Sequence, residues 1–317
     1  LVLTAHPTQF YPDAVLGIIN DLVEAIEEND VSRINTYLQQ LGRTPFFKKQ
    51  KPTPFDEAQS LIWYLENVFY TATGNILTDL KNTFPDKTDL QNLVRMGFWS
   101  GGDRDGNPFV TKDTTLKTAQ ALRLSVLKCY YKDVQKLRRR LTFSGVETIL
   151  AELSEKLYKN AFQTNENNDL SKAEILDHLY EIREILQTKH DGLFIHLVNE
   201  LICKVETFGL HFASLDIRQD SSIHRNILEE IAEKTDLLTK NYVLLSDSEK
   251  IEKLLQINSS VDSEIFDDEI AKDTIENIAA VKQIQAINGE KGCERYIISH
   301  CESALNVIEV FALFLLG

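Results

Sequence analysis

Three short apolar runs constrain this chain more than any other feature. Residues 1–5 (LVLTA), 212–217 (FASLDI) and 296–299 (YIIS) read as strands, and long helix-periodic stretches separate them. Each run leads straight into polar residues: His6, then Arg218-Gln219-Asp220, then His300-Cys301-Glu302. Strands spaced by long helical stretches argue for parallel β/α construction. In β/α barrels the chemistry collects at the C-terminal strand ends, which gives His6 and Arg218 equivalent addresses.

The intervening stretches are predicted as amphipathic helices. After Pro12-Asp13, residues Val15, Leu16, Ile19, Leu22, Val23 and Ile26 fall on one helical face. Residues 43–52 form a proline-punctuated basic loop. Thr53-Pro54-Phe55-Asp56 then opens a helix with a capping threonine, a proline at the first position and an acid in the first turn. Its predicted buried stripe is Ala58, Leu61, Ile62, Leu65, Val68, Phe69 and Ala72. Leu122, Val126, Leu127, Tyr130, Val134, Leu137 and Leu141 mark a third helix, ending in three arginines suited to a helix C-terminus. Ile175, Leu179, Ile182 and Leu186 mark another, after a polar loop at 163–169. Residues 246–268 are acid- and serine-rich and read as an exposed helix and loop. Both ends lie in apolar runs, whereas natural termini are usually polar and frayed. Residues 1–317 therefore read as one internal segment of a longer chain, with no domain boundary inside it.

Net charge narrows the function. At −14, an acidic surface repels phosphate backbones, which argues against a nucleic-acid partner. Any anionic ligand must be bound by local arginines working against that field. No run of about 18 apolar residues offers a membrane span, and no basic region precedes the first apolar residues as in a signal peptide. The four cysteines form no CxxC pair and match no zinc spacing; scattered thiols of this kind fit a reduced, cytoplasmic protein.

Four segments carry candidate chemistry. In TAHPT, Pro7 keeps His6 extended and out of a helix, so its ring is either a proton carrier or anion ligand at a strand end, or a core histidine bonded to a backbone carbonyl. In Phe98 to Pro108, three glycines within six residues allow tight backbone and close ligand approach. Arg104 stands between Asp103 and Asp105, which are expected to neutralise it; no Walker lysine follows. In LDIRQDSSIH, alternation places Asp216 and Arg218 on one face, either as a structural pair or with Arg218 free to bind a phosphate or carboxylate. In RYIISHCES, His300 and Cys301 are adjacent and point to opposite faces, which disfavours a Cys–His dyad.

Together, TAHPTQ, GGDRDGNPFVT, FGLHFASLDIRQDSSIH and YIISHCES, in this order with helical spacers, closely resemble phosphoenolpyruvate carboxylase. The resemblance runs the length of the chain, strongest in these blocks. It implies a mostly α fold: part of a heavily elaborated β/α (TIM-like) barrel with few short parallel strands and many long helices, in a homotetramer. It implies a lyase that joins bicarbonate to phosphoenolpyruvate with Mg or Mn, yielding oxaloacetate and phosphate. By similarity, His6 matches the catalytic histidine, Arg218 a phosphate-pocket arginine and Trp99 a tryptophan near the bicarbonate pocket. Asp103, Arg104 and Asp105 match a signature block that builds the site. The family's metal ligands and catalytic lysine match positions beyond Gly317, so the segment alone is expected to be inactive. In place of an arginine pair linked to phosphate activators, this chain has Gln9-Phe10-Tyr11-Pro12-Asp13. The competing readings are a non-catalytic helical scaffold and a phosphoenolpyruvate-binding regulatory module.

Overall fold

The computed structural model describes residues 1–4, 11–46, 52–84, 93–105, 107–163 and 170–317. His6, Gly106 and most of the 163–169 loop lie outside the described residues. The chain is mostly helical, with a few very short strands, all paired in parallel.

β1 (Val2–Leu3), β2 (Gly97–Phe98) and β3 (Ser214–Leu215) form one sheet in that order, with Val2 opposite Gly97 and Gly97 opposite Ser214. β4 (Ile217–Asp220) pairs with β5 (Tyr296–Ser299), with Arg218 opposite Ile297. Strands that neighbour each other in space thus follow one another in sequence, each crossover filled by helices. The strand expected over 212–217 is two strands separated at Asp216, and the second runs on to Asp220. β2 was not foreseen, because Gly97-Phe98 is too short to show alternation.

α1 (Asp13–Glu27) and α2 (Val31–Arg43) pack on each other; the Asp30 carboxylate caps α2 by accepting from the Ser32 and Arg33 amides. Val15, Leu16, Ile18 and Ala25 of α1 are buried, whereas Val23 and Ile26, expected on the buried face, are exposed. α3 (Pro54–Tyr64) begins with the predicted Thr53 cap, completed as a capping box by Asp56. A π-helical turn at Leu65–Phe69 then leads into α4 (Tyr70–Thr83). The extra residue of that turn rotates the buried face. Val68 and Ala72 therefore turn outward, and Tyr70, Thr73 and Leu77 take the core positions.

α5 (Lys112–Arg140), about 44 Å long at 1.5 Å per residue, is the central pillar and packs against α3, α6, α8 and α11. All seven of its predicted core residues are buried. α6 (Val146–Phe162), α7 (Lys172–Lys189) and α8 (Ile195–Phe208) extend the main core, where Ile175, Leu179, Ile182 and Leu186 are fully buried. A second core joins α9 (Ser221–Lys234), α10 (Asp247–Leu254), α11 (Glu269–Asn288) and α12 (Ala304–Leu316). The two halves are tied through α5. Arg123 is 3% exposed; its guanidinium donates to the Ile287 carbonyl (2.6 Å) in the last turn of α11 and to the Leu170 carbonyl (3.2 Å). Asn288 donates to the Ala119 carbonyl at 3.0 Å.

This tie is testable. Arg123→Met keeps the stem but strands the buried Leu170 carbonyl and the part-buried Ile287 carbonyl, so it is expected to lower unfolding free energy by about 1–3 kcal/mol. Urea denaturation checks it; a loss under 0.5 kcal/mol, roughly the size of a surface substitution, contradicts it.

Candidate functional site

The chain leaves β2 through Trp99-Ser100-Gly101-Gly102 and comes back alongside β4, where Asp103 bridges in parallel to Arg218. The Arg218 amide donates to the Gly102 carbonyl and the Arg104 amide to the Arg218 carbonyl, both at 2.9 Å. With β5 paired on its other edge, the backbone of Arg218 is held from both sides. Two glycines make the turn possible. Gly101 has φ +85°, and a Cβ there would lie 2.2 Å from the Thr118 hydroxyl; a Cβ on Gly102 would lie 2.2 Å from the Asp216 carbonyl oxygen.

Alternation along residues 103–105 sorts their side chains. Asp103 and Asp105 both face Arg218: Nη1 lies 3.1 Å from Asp103 and Nη2 2.8 Å from Asp105. The guanidinium carbon sits 5.0 Å from the centre of the Trp99 ring. Burial pushes the Asp103 carboxyl above its usual range, against the pull of Arg218. Arg104 faces the opposite way and is buried; it pairs with Asp273 of α11 at 2.6 Å and donates to Thr274 at 3.3 Å. The expectation that the two aspartates neutralise Arg104 is therefore corrected: they hold Arg218, and Arg104 anchors the loop to α11.

Asp216 also departs from expectation. It shares the side of Arg218 but does not pair with it. Lying between β3 and β4 with its side chain 2% exposed, it binds Arg295 Nε at 2.8 Å and accepts from the Trp99 indole N–H at 3.1 Å. Burial raises its carboxyl, and Arg295 opposes the rise. Asp273 and Arg295 were not singled out in the sequence. Asp273 looks like any surface acid of an amphipathic helix, and Arg295 like a charge before a strand.

Beyond Arg218, a cleft of about 510 Å³ is bordered by Arg104, Asp105, Asn107, Gln219, Asp220 and Asp273 among others. Asp220, at the end of β4, accepts from the Ser222 amide (2.8 Å) and hydroxyl (2.5 Å) and pairs with His300 Nδ1 at 2.5 Å. The Ser222 bonds, with His300 adding to them, lower its pKa to about 2. His224 is fully buried, bonded to the Tyr296 hydroxyl at 2.8 Å, and burial lowers its pKa to about 4. Of the predicted site residues, Trp99, Asp103, Asp105 and Arg218 come together, Arg104 braces them from behind, and His6 lies outside the described residues. Among the described residues, no group of three or more histidines, cysteines or acids is placed to hold a metal ion.

A family model described as phosphoenolpyruvate carboxylase matches residues 1–169 and 153–315. Relatives of that name from Gloeobacter violaceus and a Synechococcus strain are each 27% identical over 99% of this chain, covering 41% and 37% of the relative. The phosphoenolpyruvate carboxylase of Shewanella halifaxensis is 25% identical, over 99% of this chain and 40% of its own. The chain thus spans about two fifths of the length of the curated relatives it matches.

The Asp220 geometry has a measurable consequence. A folded pKa of about 2, below an unfolded value near 3.9, means stability that is full above pH ~4 and lost as pH falls toward 2. Asp220→Asn is expected to cost about 1 kcal/mol at pH 7 after allowance for solvent screening. That deficit is expected to shrink below pH ~4, as read by urea unfolding at several pH values; a deficit independent of pH contradicts it.

Proposed function

The chain belongs to the phosphoenolpyruvate carboxylase family, and on that premise we propose that it is the part of a carboxylase that binds the phosphate of phosphoenolpyruvate and the bicarbonate that receives it. The reading rests above all on the setting of Arg218. A guanidinium has five N–H donors in a planar fork, and its contacts with Asp103, Asp105 and the Trp99 face leave donors for a phosphate oxygen. Phosphoryl transfer depends mainly on positioning and charge neutralisation, and this arginine is positioned by the protein's own groups.

In this reading Arg218 holds the phosphate, Trp99 borders the bicarbonate pocket, and Asp103, Arg104 and Asp105 shape the site. The phosphoryl group passes from phosphoenolpyruvate to bicarbonate, carboxyphosphate splits into carbon dioxide and phosphate, and the enolate attacks the carbon dioxide. His6 acts in the carboxylation half, on carboxyphosphate or its proton. The sequential, parallel strand order supports a TIM-like barrel of which residues 1–317 are one segment. The whole enzyme is a cytoplasmic homotetramer that fixes carbon and supplies oxaloacetate to the tricarboxylic acid cycle. Magnesium or manganese belongs to that enzyme; the described residues offer no ligand set for it, and none of these residue roles runs through it.

The test uses the full-length protein. His6→Ala is expected to abolish oxaloacetate formation while sparing phosphoenolpyruvate binding, and Arg218→Ala to weaken binding at least 10-fold, the loss of a charge-assisted contact. Residues 1–317 alone are expected to form no oxaloacetate. Equal losses of both properties in both variants contradict this division of roles, and turnover by the segment contradicts its dependence on the rest.

A further inference from the structure

A single buried carboxylate links the groups around Arg218. Asp216 uses its two oxygens on two different neighbours: Oδ1 on Arg295 Nε at 2.8 Å and Oδ2 on the Trp99 indole N–H at 3.1 Å. The face of the same indole is not free either, since the Arg218 guanidinium lies over it, 5.0 Å from the ring centre. Two arginines thus stand at the ends of one chain of contacts, Arg295–Asp216–Trp99–Arg218, and Asp216 is its only acceptor. The backbone is shaped for it. A Cβ on Gly97 would lie 2.8 Å from Arg295 Nη2 and 3.4 Å from Asp216 Oδ2, and a Cβ on Gly102 would strike the Asp216 carbonyl. Both glycines keep side-chain bulk away from this residue.

We infer that Asp216 is a positioning residue: it fixes the Trp99 indole against the Arg218 guanidinium and so sets the orientation in which Arg218 meets a substrate anion. The inference rests on the proposed role of Arg218 in binding phosphoenolpyruvate. Its physical basis is twofold. A hydrogen bond from the indole N–H to a carboxylate fixes the ring's rotation. It also pushes electron density into the ring, which strengthens the attraction of its face for a cation. Asp103 and Asp105 fix the guanidinium at its N–H edge, and the indole fixes its plane. Without Asp216 the first constraint remains and the second is lost. A buried aspartate between β3 and β4 also serves better than glutamate, because its short side chain loses little rotamer freedom in holding two donors at once.

Asp216→Asn in the full-length protein places an NH2 where one of the two donors needs an acceptor. It is expected to weaken phosphoenolpyruvate binding about 5–10-fold, the size of one cation–π contact. Trp99→Phe keeps a ring but removes the N–H, and is expected to lose a similar factor. The double variant should bind no more weakly than the worse single one, because both act through one contact. Multiplying losses in the double variant would show that Asp216 acts elsewhere and overturn the inference. Fluorine NMR of 5-fluorotryptophan-labelled protein gives a readout independent of binding, with the Trp99 resonance identified by its loss in Trp99→Phe. That resonance should move in Asp216→Asn, and again in Arg218→Ala, which leaves Asp216 intact. If wild-type protein binds no phosphoenolpyruvate, the proposed function fails, and the resonance still decides the clamp: movement in both variants supports it, and an unmoved resonance in either overturns it. Should Asp216→Asn not fold, Trp99→Phe decides by binding alone, with unchanged affinity overturning the inference.

Discussion

The grip of one loop on one arginine is the constraint around which the site is built. Arg218 is held through its backbone by Gly102 and Arg104, through its side chain by Asp103 and Asp105, and on its face by Trp99. A guanidinium that enters an apolar strand region is costly unless it is paired. The loop supplies that pairing in a form that still leaves the group partly exposed. Every element nearby follows from this need: glycines where the loop turns against β4, alternation that sends Asp103 and Asp105 to one side, and Arg104 turned inward to α11.

The rest of the fold keeps this small region rigid. The strands are too short to be stable by themselves, so their register depends on the helices around them. α5 starts where the loop ends, with its first amide bonded to the Asp273 carboxylate that also receives Arg104. The loop, the pillar helix and α11 therefore share one carboxylate. Arg123, further along α5, repeats the tie to the far end of α11. The electrostatics of the site are accordingly local. The chain carries a net charge of −14, and Arg218, the proposed phosphate ligand, works within a cluster of acids whose charge it offsets only in part.

Much of the scaffold was legible in the sequence because hydrophobic period and capping are local signals. The Thr53 cap, the α5 stripe and the β5 run could all be read from neighbouring residues. What was not legible depended on long-range contact. The π-turn at Leu65–Phe69 moves Val68 and Ala72 out of the core, and no local pattern announces it. β2 has two residues and exists only because β1 and β3 flank it. In the site, Trp99, Asp103, Asp105 and Arg218 stood out as residue types at a strand end or glycine loop. Their pairing did not: it required knowing that the loop at 101–105 returns beside β4. Asp273 and Arg295 lie far along the chain from their partners, so sequence spacing could not connect them.

The most direct measurement is phosphoenolpyruvate binding by the full-length protein carrying Arg218→Lys. Lysine keeps the charge but not the planar fork that reaches two carboxylates while lying on an indole. The account predicts that affinity falls nearly as far as in Arg218→Ala, because orientation rather than charge makes the site. Binding as tight as wild type would contradict it, showing that a positive charge at the end of β4 is sufficient.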